Sequence, residues 1–257
     1  MTTTNTNNSV ASLHNVSVKF KLSGGGSTLA MNNVSIELKE GELLVFVGKS
    51  GSGKTTALNV LAGLVEATDG TATVLGKLPT DARKQMGYMF ARDALMPWRS
   101  AKKNVEFGLE LKGLPPAERE SRAKHYLNMV HLGELAENYP SQLSQGQRQR
   151  VALARTWAPE PKIMLMDEPF AALDAQTRES VQEEFLRIWA KDRRSMVFVT
   201  HDINEAICLA DRIIVFSSGA IIEEIPIPFE RPRDLIELSA EAHFREIFKN
   251  IRAILSH

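Results

Sequence analysis

Gly48-Lys49-Ser50-Gly51-Ser52-Gly53-Lys54-Thr55-Thr56 is compatible with very few structures. Gly48 to Thr55 matches G-x-x-x-x-G-K-[ST], and the run before it, Leu43 to Val47, is short, continuous and apolar. Such a run, bounded by Gly41 and Gly48, has the pattern of a strand buried on both faces of a sheet. Leu58, Leu61 and Ala62 follow at helical spacing. A buried strand, a glycine turn and a helix in that order offer backbone N–H groups and the positive end of the helix to a phosphate. Side chains would obstruct that wrap, so the turn needs glycine. Lys54 is placed to reach the β- and γ-phosphates, and Thr55 to put its hydroxyl on Mg²⁺. A flexible Gly/Ser turn is the bland alternative, and the strand and helix on either side weigh against it.

Ile163-Met164-Leu165-Met166-Asp167-Glu168 is a second buried-strand pattern, and it ends in two acids. Open α/β sheets bind ligands at the carboxyl ends of their strands, where these carboxylates would emerge. Asp167 suits a Mg²⁺ held through water, and Glu168 suits a base that polarises the water attacking a γ-phosphate. A solvated acidic turn is the competing reading of this stretch in isolation. Upstream, Leu143-Ser144-Gln145-Gly146-Gln147 gives Ser144 and Gln147 the spacing of a capping box. A helix starting there would run through Val151, Ala154 and Trp157 and stop before Pro159, offering a second anion-binding N-terminus.

Around these motifs the chain alternates strand and helix patterns. Strand patterns occur at Leu13 to Phe20 and Val34 to Leu38, separated by a Gly/Ser-rich turn over Lys21 to Thr28. Later come a helix over Thr177 to Ala190, strands at Met196 to Thr200 and Ile213 to Phe216, and a helix from Asn204. That order implies an α/β fold with a mostly parallel sheet, opened by antiparallel strands. Arg92 to Pro159 differs, being charged, helix-patterned and punctuated by Pro97, Pro115, Pro116 and Pro140. The boundaries are a disordered tail over 1–10 and one domain over 11–257. Within it, a core occupies about 11–91 and 160–230, a helical subdomain about 92–159, and a C-terminal helical segment 231–257.

Lys+Arg and Asp+Glu balance at 31 each, which argues against nucleic-acid binding through a bulk basic field. The single cysteine, Cys208, lies in an apolar stretch and fits a buried thiol in a reducing compartment. No apolar run approaches the roughly 20 residues of a membrane-spanning helix, and the first residues lack signal-peptide character. The chain reads as cytosolic, so any membrane role would come through a partner.

Taken in order, these motifs resemble the ABC-type ATPases over nearly the whole chain. Leu143 to Gln147 resembles the LSGGQ signature, with Gln145 in place of the first glycine. Ala171-Ala172-Leu173-Asp174 resembles the loop that meets the partner subunit, and His201 resembles the switch histidine that contacts the γ-phosphate. Phe20 resembles the aromatic residue that stacks on adenine, although a strand phenylalanine is more often core. The resemblance implies a RecA-like P-loop core with an antiparallel β layer and an inserted α-helical subdomain. It implies ATP and Mg²⁺ as ligands, bound by Gly48 to Thr56 with Phe20, Asp167, Glu168 and His201. It also implies a head-to-tail pair in which Ser144, Gly146, Gln147 and Asp174 of one chain close over ATP held by the other.

The family usually has a glutamine where this chain has Ala91, after Gly87-Tyr88-Met89-Phe90. Alanine binds neither Mg²⁺ nor water, so solvent, Arg92 or Asp93 has to replace that ligand. Arg92 to Arg99, with Asn104-Val105, resembles the importer groove that receives a short helix of the membrane subunit. Trp98 there is either an anchor of that groove or subdomain core. The segment Glu230-Arg231-Pro232-Arg233-Asp234 is similar to the nitrate/sulfonate/taurine importer group. The expected partners are therefore a second copy or a similar ATPase subunit, transmembrane permease subunits and, indirectly, a solute-binding protein, at the cytoplasmic face of the inner membrane. An exporter ATPase, a regulatory subunit with impaired hydrolysis, and a soluble ABC protein acting on ribosomes or DNA are the alternatives.

Overall fold

The computed structural model describes residues 9–21, 24–233 and 235–256. Most of the expected tail (1–8) and part of the Gly/Ser turn (22–23) lie outside the described residues. The chain runs β1 (Ser9–Lys21), β2 (Ser27–Lys39), β3 (Leu43–Gly48), α1 (Lys54–Leu61), β4 (Asp69–Val74), α2 (Pro79–Ala82) and β5 (Met86–Met89). It continues through α3 (Ala101–Leu111), α4 (Pro116–Met129), α5 (Gln145–Trp157), β6 (Ile163–Asp167) and α6 (Ala175–Lys191). Last come β7 (Ser195–Thr200), α7 (Ile203–Leu209), β8 (Arg212–Ser217), β9 (Ala220–Pro226), α8 (Leu235–Ser239) and α9 (Ala242–Ser256). Two compact units result: the chain up to Arg83 together with the chain from Ser195, and the intervening Lys84–Arg194. Among the described residues, no helix is long and apolar enough to cross a membrane.

The first unit carries the antiparallel layer, in order β2-β1-β4. β1 and β2 are 13 residues each, longer than their alternation suggests. Asn15 and Asn33 adopt φ of 51°, a left-handed conformation asparagine tolerates, and the β1–β2 register shifts between Leu13 and Val18. Those irregularities break the period-two pattern without ending the strands. The same unit holds β7-β3-β8, parallel, with β9 antiparallel at the edge. Every residue of β3 and of β7 is buried, which accounts for their unbroken apolar runs.

Arg212 stitches this unit together. Its guanidinium donates to both carboxylate oxygens of Glu42, at 2.7 and 3.0 Å, to Glu224 at 2.8 Å, and to the Glu37 carbonyl. Glu42 itself is 9% exposed and also accepts from the Lys39 N–H at 2.8 Å. One cation thus ties the end of β2, the lead into β3, and strands β8 and β9.

The second unit is mainly helical. α3, α4 and α5 pack on one another, and the β5–β6 pair is parallel. Asn104, fully buried on α3, accepts from the Met96 N–H at 2.8 Å and donates to the Arg99 carbonyl at 2.9 Å. The loop so fixed holds Trp98 at 73% exposure, so that ring is not subdomain core.

Arg212→Met should destabilise the first unit by about 3–5 kcal/mol, because it leaves the Glu42 carboxylate buried without its cation. Chemical denaturation followed by circular dichroism checks this. A loss below about 1 kcal/mol would mean the pair behaves as a solvent-screened surface bridge.

Candidate functional site

In the first unit the glycine turn is a cradle with its walls already in place. A Cβ on Gly48 would lie 2.4 Å from the Phe216 carbonyl oxygen and 2.6 Å from Ser52 Oγ. Gly51 and Gly53 adopt φ of 79° and 104°, and a Cβ on Gly53 would meet the Ala30 carbonyl oxygen at 3.0 Å. Ser52 Oγ is buried with no hydrogen-bond partner. Lys54 is buried and its Nζ donates to the Gly48 and Lys49 carbonyls at 2.8 and 3.0 Å, holding the ammonium inside the turn. Lys49, Ser50, Gly51 and Thr55 are exposed and Thr56 partly so. Gly53 caps α1 without a side-chain hydrogen bond, so the positive N-terminal end of the helix faces the turn. These residues fit a polyphosphate.

The turn is braced from behind. Gly219, between β8 and β9, donates to the Ser52 carbonyl at 3.0 Å and accepts from the Asn32 N–H at 2.8 Å. β3 and β7 are in parallel register with Val47 opposite Thr200, so His201 leaves the sheet at the same edge as Gly48. His201 is exposed, between Thr200, whose Oγ1 bonds the Glu205 carboxylate, and Asp202, the N-cap of α7. That helix begins at Ile203, one residue ahead of the sequence expectation. Phe20, opposite Thr28 near the end of β1, is 43% exposed and is not core.

In the second unit Met89 lies opposite Met166, so Phe90-Ala91 and Asp167-Glu168 emerge at one edge of the β5–β6 pair. Glu168 has φ of 47°, an unusual conformation for its type. Burial, and secondly the Asp167 charge, push the Tyr88 hydroxyl well above its ordinary pKa. Asp93 forms an ion pair with Arg148 at 2.9 Å, while Arg155 donates to the Asp93 and Ala94 carbonyls at 2.8 and 2.7 Å. The carboxylate nearest Ala91 in sequence is therefore committed to α5, and Arg92 is exposed.

The capping box expected at the start of α5 is present. Ser144 Oγ accepts from the Gln147 N–H at 3.2 Å, and Gln147 Oε1 accepts from the Ser144 N–H at 2.8 Å. A Cβ on Gly146 would meet Thr177 Cγ2 at 2.4 Å, so only glycine lets α5 approach the start of α6 this closely. Between these helix starts lies an open cleft of 290 Å³ lined by Ser144, Gly146, Gln147, Arg150, Thr177 and Ser180. Asp174 caps α6, and hydrogen bonds from the Thr177 hydroxyl and N–H hold its carboxyl below the usual range. The sequence shows Gln145 only as a glutamine in place of the signature's first glycine, with no sign of its use. Its Nε2 donates to the Ala172 carbonyl at 2.6 Å, joining the signature to the loop that ends at Asp174.

The model of the ABC transporter family matches residues 31–171. An ABC transporter ATP-binding protein of Methanocaldococcus jannaschii, itself uncharacterised, is 46% identical over 233 residues, covering 90% of this chain and 86% of its own. The nitrate import ATP-binding protein NrtD of Synechocystis is 44% identical over 204 residues, covering 79% and 77%. The taurine import ATP-binding protein TauB of Roseobacter denitrificans is 38% identical over 241 residues, covering 93% and 88%. An ATP-binding cassette solved as a dimer in a post-hydrolysis state, bound to ADP and Pi, superposes with a TM-score of 0.77 at 35% identity. That superposition covers 86% of this chain and 100% of the solved one. The fold is accordingly a RecA-like P-loop core with an antiparallel β layer and inserted helical segments.

Proposed function

Because this chain belongs to the ABC transporter ATPase family, we propose that it is the ATP-hydrolysing subunit of an importer for a small solute, an anion such as nitrate, a sulfonate or taurine. The chain binds ATP as an ABC ATPase, and the phosphate cradle at Gly48 to Thr56 is the observation that carries the reading. Lys54 Nζ exchanges its carbonyl partners for β- and γ-phosphate oxygens, and the α1 N-terminus supplies further N–H donors. Phe20 stacks on the adenine. Thr55 would hold Mg²⁺ by its hydroxyl and Asp167 through a water, a set that suits an ion keeping several waters and taking the rest of its shell from phosphate. Such an ion would supply neutralisation of charge on the β- and γ-phosphate oxygens. Glu168 polarises the attacking water, and His201 donates to the γ-phosphate.

Two chains act head to tail. The cleft of one, with Ser144, Gly146 and Gln147 on α5, closes over ATP in the cradle of the other, and Asp174 lies on the loop meeting that partner. Closure completes charge neutralisation at the γ-phosphate, and hydrolysis undoes it. Trp98, exposed on a loop pinned by Asn104, contributes to the groove for a membrane-subunit helix. The relatives named for nitrate and taurine import support import over export. The solute contacts the permease and binding protein, not this subunit.

A second reading, a regulatory ATP-binding subunit with impaired hydrolysis, is favoured by Ala91 alone. Because Glu168, Lys54, Thr55, Asp167 and His201 are all present, hydrolysis persists.

Glu168→Gln should lower turnover by about 10²- to 10⁴-fold and trap an ATP-dependent dimer in light scattering. A variant that stays monomeric at saturating ATP overturns the head-to-tail arrangement. Ala91→Gln should leave turnover unchanged in a phosphate-release assay, and a severalfold rise would favour the regulatory reading. Tagged chain taken from gently solubilised native membranes should bring a multi-spanning protein with it. Recovery of soluble partners or nucleic acid alone would remove the transport assignment and leave the ATPase.

A further inference from the structure

The reaction above makes no use of Arg231 and Arg233, yet both reach the helix that follows His201. The last carbonyls of any helix have no partner within it. At the end of α7 the Ala206 carbonyl accepts from the Ala210 N–H at 2.9 Å. Arg233 Nη1 donates to the carbonyls of Ile207, Cys208 and Ala210 at 3.4, 3.2 and 2.5 Å. Arg231 donates to the Leu209 carbonyl and forms an ion pair with Asp211 at 2.9 Å. Asp211 in turn accepts from the Leu43 N–H at 2.9 Å, which anchors the arrangement to the start of β3. The other face of the Arg233 guanidinium is fixed by the Phe229 carbonyl at 2.6 and 3.0 Å.

Two cations at a helix C-terminus also complement its dipole. Burial first, then the neighbouring Arg231 charge, draws the Arg233 guanidinium down to about 10, so it remains a cation at neutral pH.

The opposite end of α7 is tied as firmly. Asp202 Oδ1 accepts from the N–H groups of Asn204 and Glu205 at 2.9 and 3.2 Å, and the Asp202 N–H donates to Thr200 Oγ1 at 3.0 Å. Thr200 Oγ1 also bonds the Glu205 carboxylate. Both neighbours of His201 are thereby locked to the first turn of the helix. α7 is a strut of roughly 10 Å, with His201 at one end and two guanidiniums at the other.

We propose that Arg231 and Arg233 are positioning residues for ATP hydrolysis, setting through α7 the place of His201 against the γ-phosphate. The proposal rests on the role given to His201 above. A misplacement of about 1 Å can cost on the order of 10²-fold in rate, so a clamp at the far end of a short strut is felt in turnover. Nucleotide affinity, set by the cradle on β3 and α1, is not its business.

The test is a double-mutant cycle in the full chain, with steady-state ATPase rates and the Michaelis constant for ATP. Arg233→Met should lower kcat roughly 10- to 100-fold with the Michaelis constant unchanged. Arg233→Lys should recover only part of the rate, since a point charge does not span several carbonyls as a planar guanidinium does. Combined with His201→Ala, Arg233→Met should cost nothing further. Equal losses in the wild-type and His201→Ala backgrounds would overturn the proposal while leaving the His201 role intact, as would a parallel rise in the Michaelis constant. Full activity of His201→Ala alone would instead remove the role of the histidine, and the proposal with it. If Arg233→Met does not fold, Arg231→Gln carries the same cycle, because it withdraws the Leu209 and Asp211 contacts.

Discussion

Holding negative charge mostly with backbone groups, with one buried lysine beside them, is the constraint on which the first unit is built. Amide groups converge on a phosphate only where side chains are absent, and the space they vacate has to be walled by something else. At Gly48 the wall is the backbone of β8, 2.4 Å from where a Cβ would sit. The parallel register that sets Gly48 against Phe216 is therefore part of the binding device as well as of the sheet. The brace continues through Gly219 to Asn32 on β2, which is paired with the strand that presents Phe20. The glycine turn and the β1–β2 pair of this unit are thus joined through two backbone hydrogen bonds at Gly219.

Legibility in the sequence followed the kind of force involved. β3 and β7 could be read because burial on both faces leaves an unbroken apolar run. The start of α5 could be read because a capping box is local, needing only residues three apart. β4 went unread because it is a largely exposed edge strand, with Gly70 pressed against the Asn15 and His14 carbonyls. β9 went unread for a related reason, pairing at an edge with mixed exposure. The full lengths of β1 and β2 were hidden by bulges that change the side-chain phase without stopping the ladder.

What could not be read at all were contacts between side chains and distant carbonyls. Gln145 to Ala172, Arg233 to the end of α7, and Arg212 to Glu42 span 27, 25 and 170 positions. No period or motif encodes such pairs, because a carbonyl is offered by every residue and only the fold selects which one is orphaned. The arginine-rich segment after β9 was visible as a resemblance to one importer group. Its physical use, closing the last turn of a helix with no glycine cap, emerges only from the geometry.

Ala91 bears on how much of the metal site the protein itself has to supply. Mg²⁺ gives up its waters reluctantly and takes few protein ligands where phosphate oxygens are available. Replacing one neutral amide ligand by water changes neither the charge nor the coordination number. Alanine offers no side-chain oxygen or nitrogen that could link a metal ion to the loop that follows β5. Here that loop is held from the other side, by the Asp93–Arg148 ion pair and by Arg155 on the carbonyls of Asp93 and Ala94. Both arginines project from α5, the helix whose first turn carries Ser144 and Gly146. The loop after β5 is thus coupled to the signature helix through backbone and ion-pair contacts that do not involve position 91. An alanine there is compatible with a working ATPase, because water would fill the coordination position a glutamine would take and the loop keeps its anchor on α5.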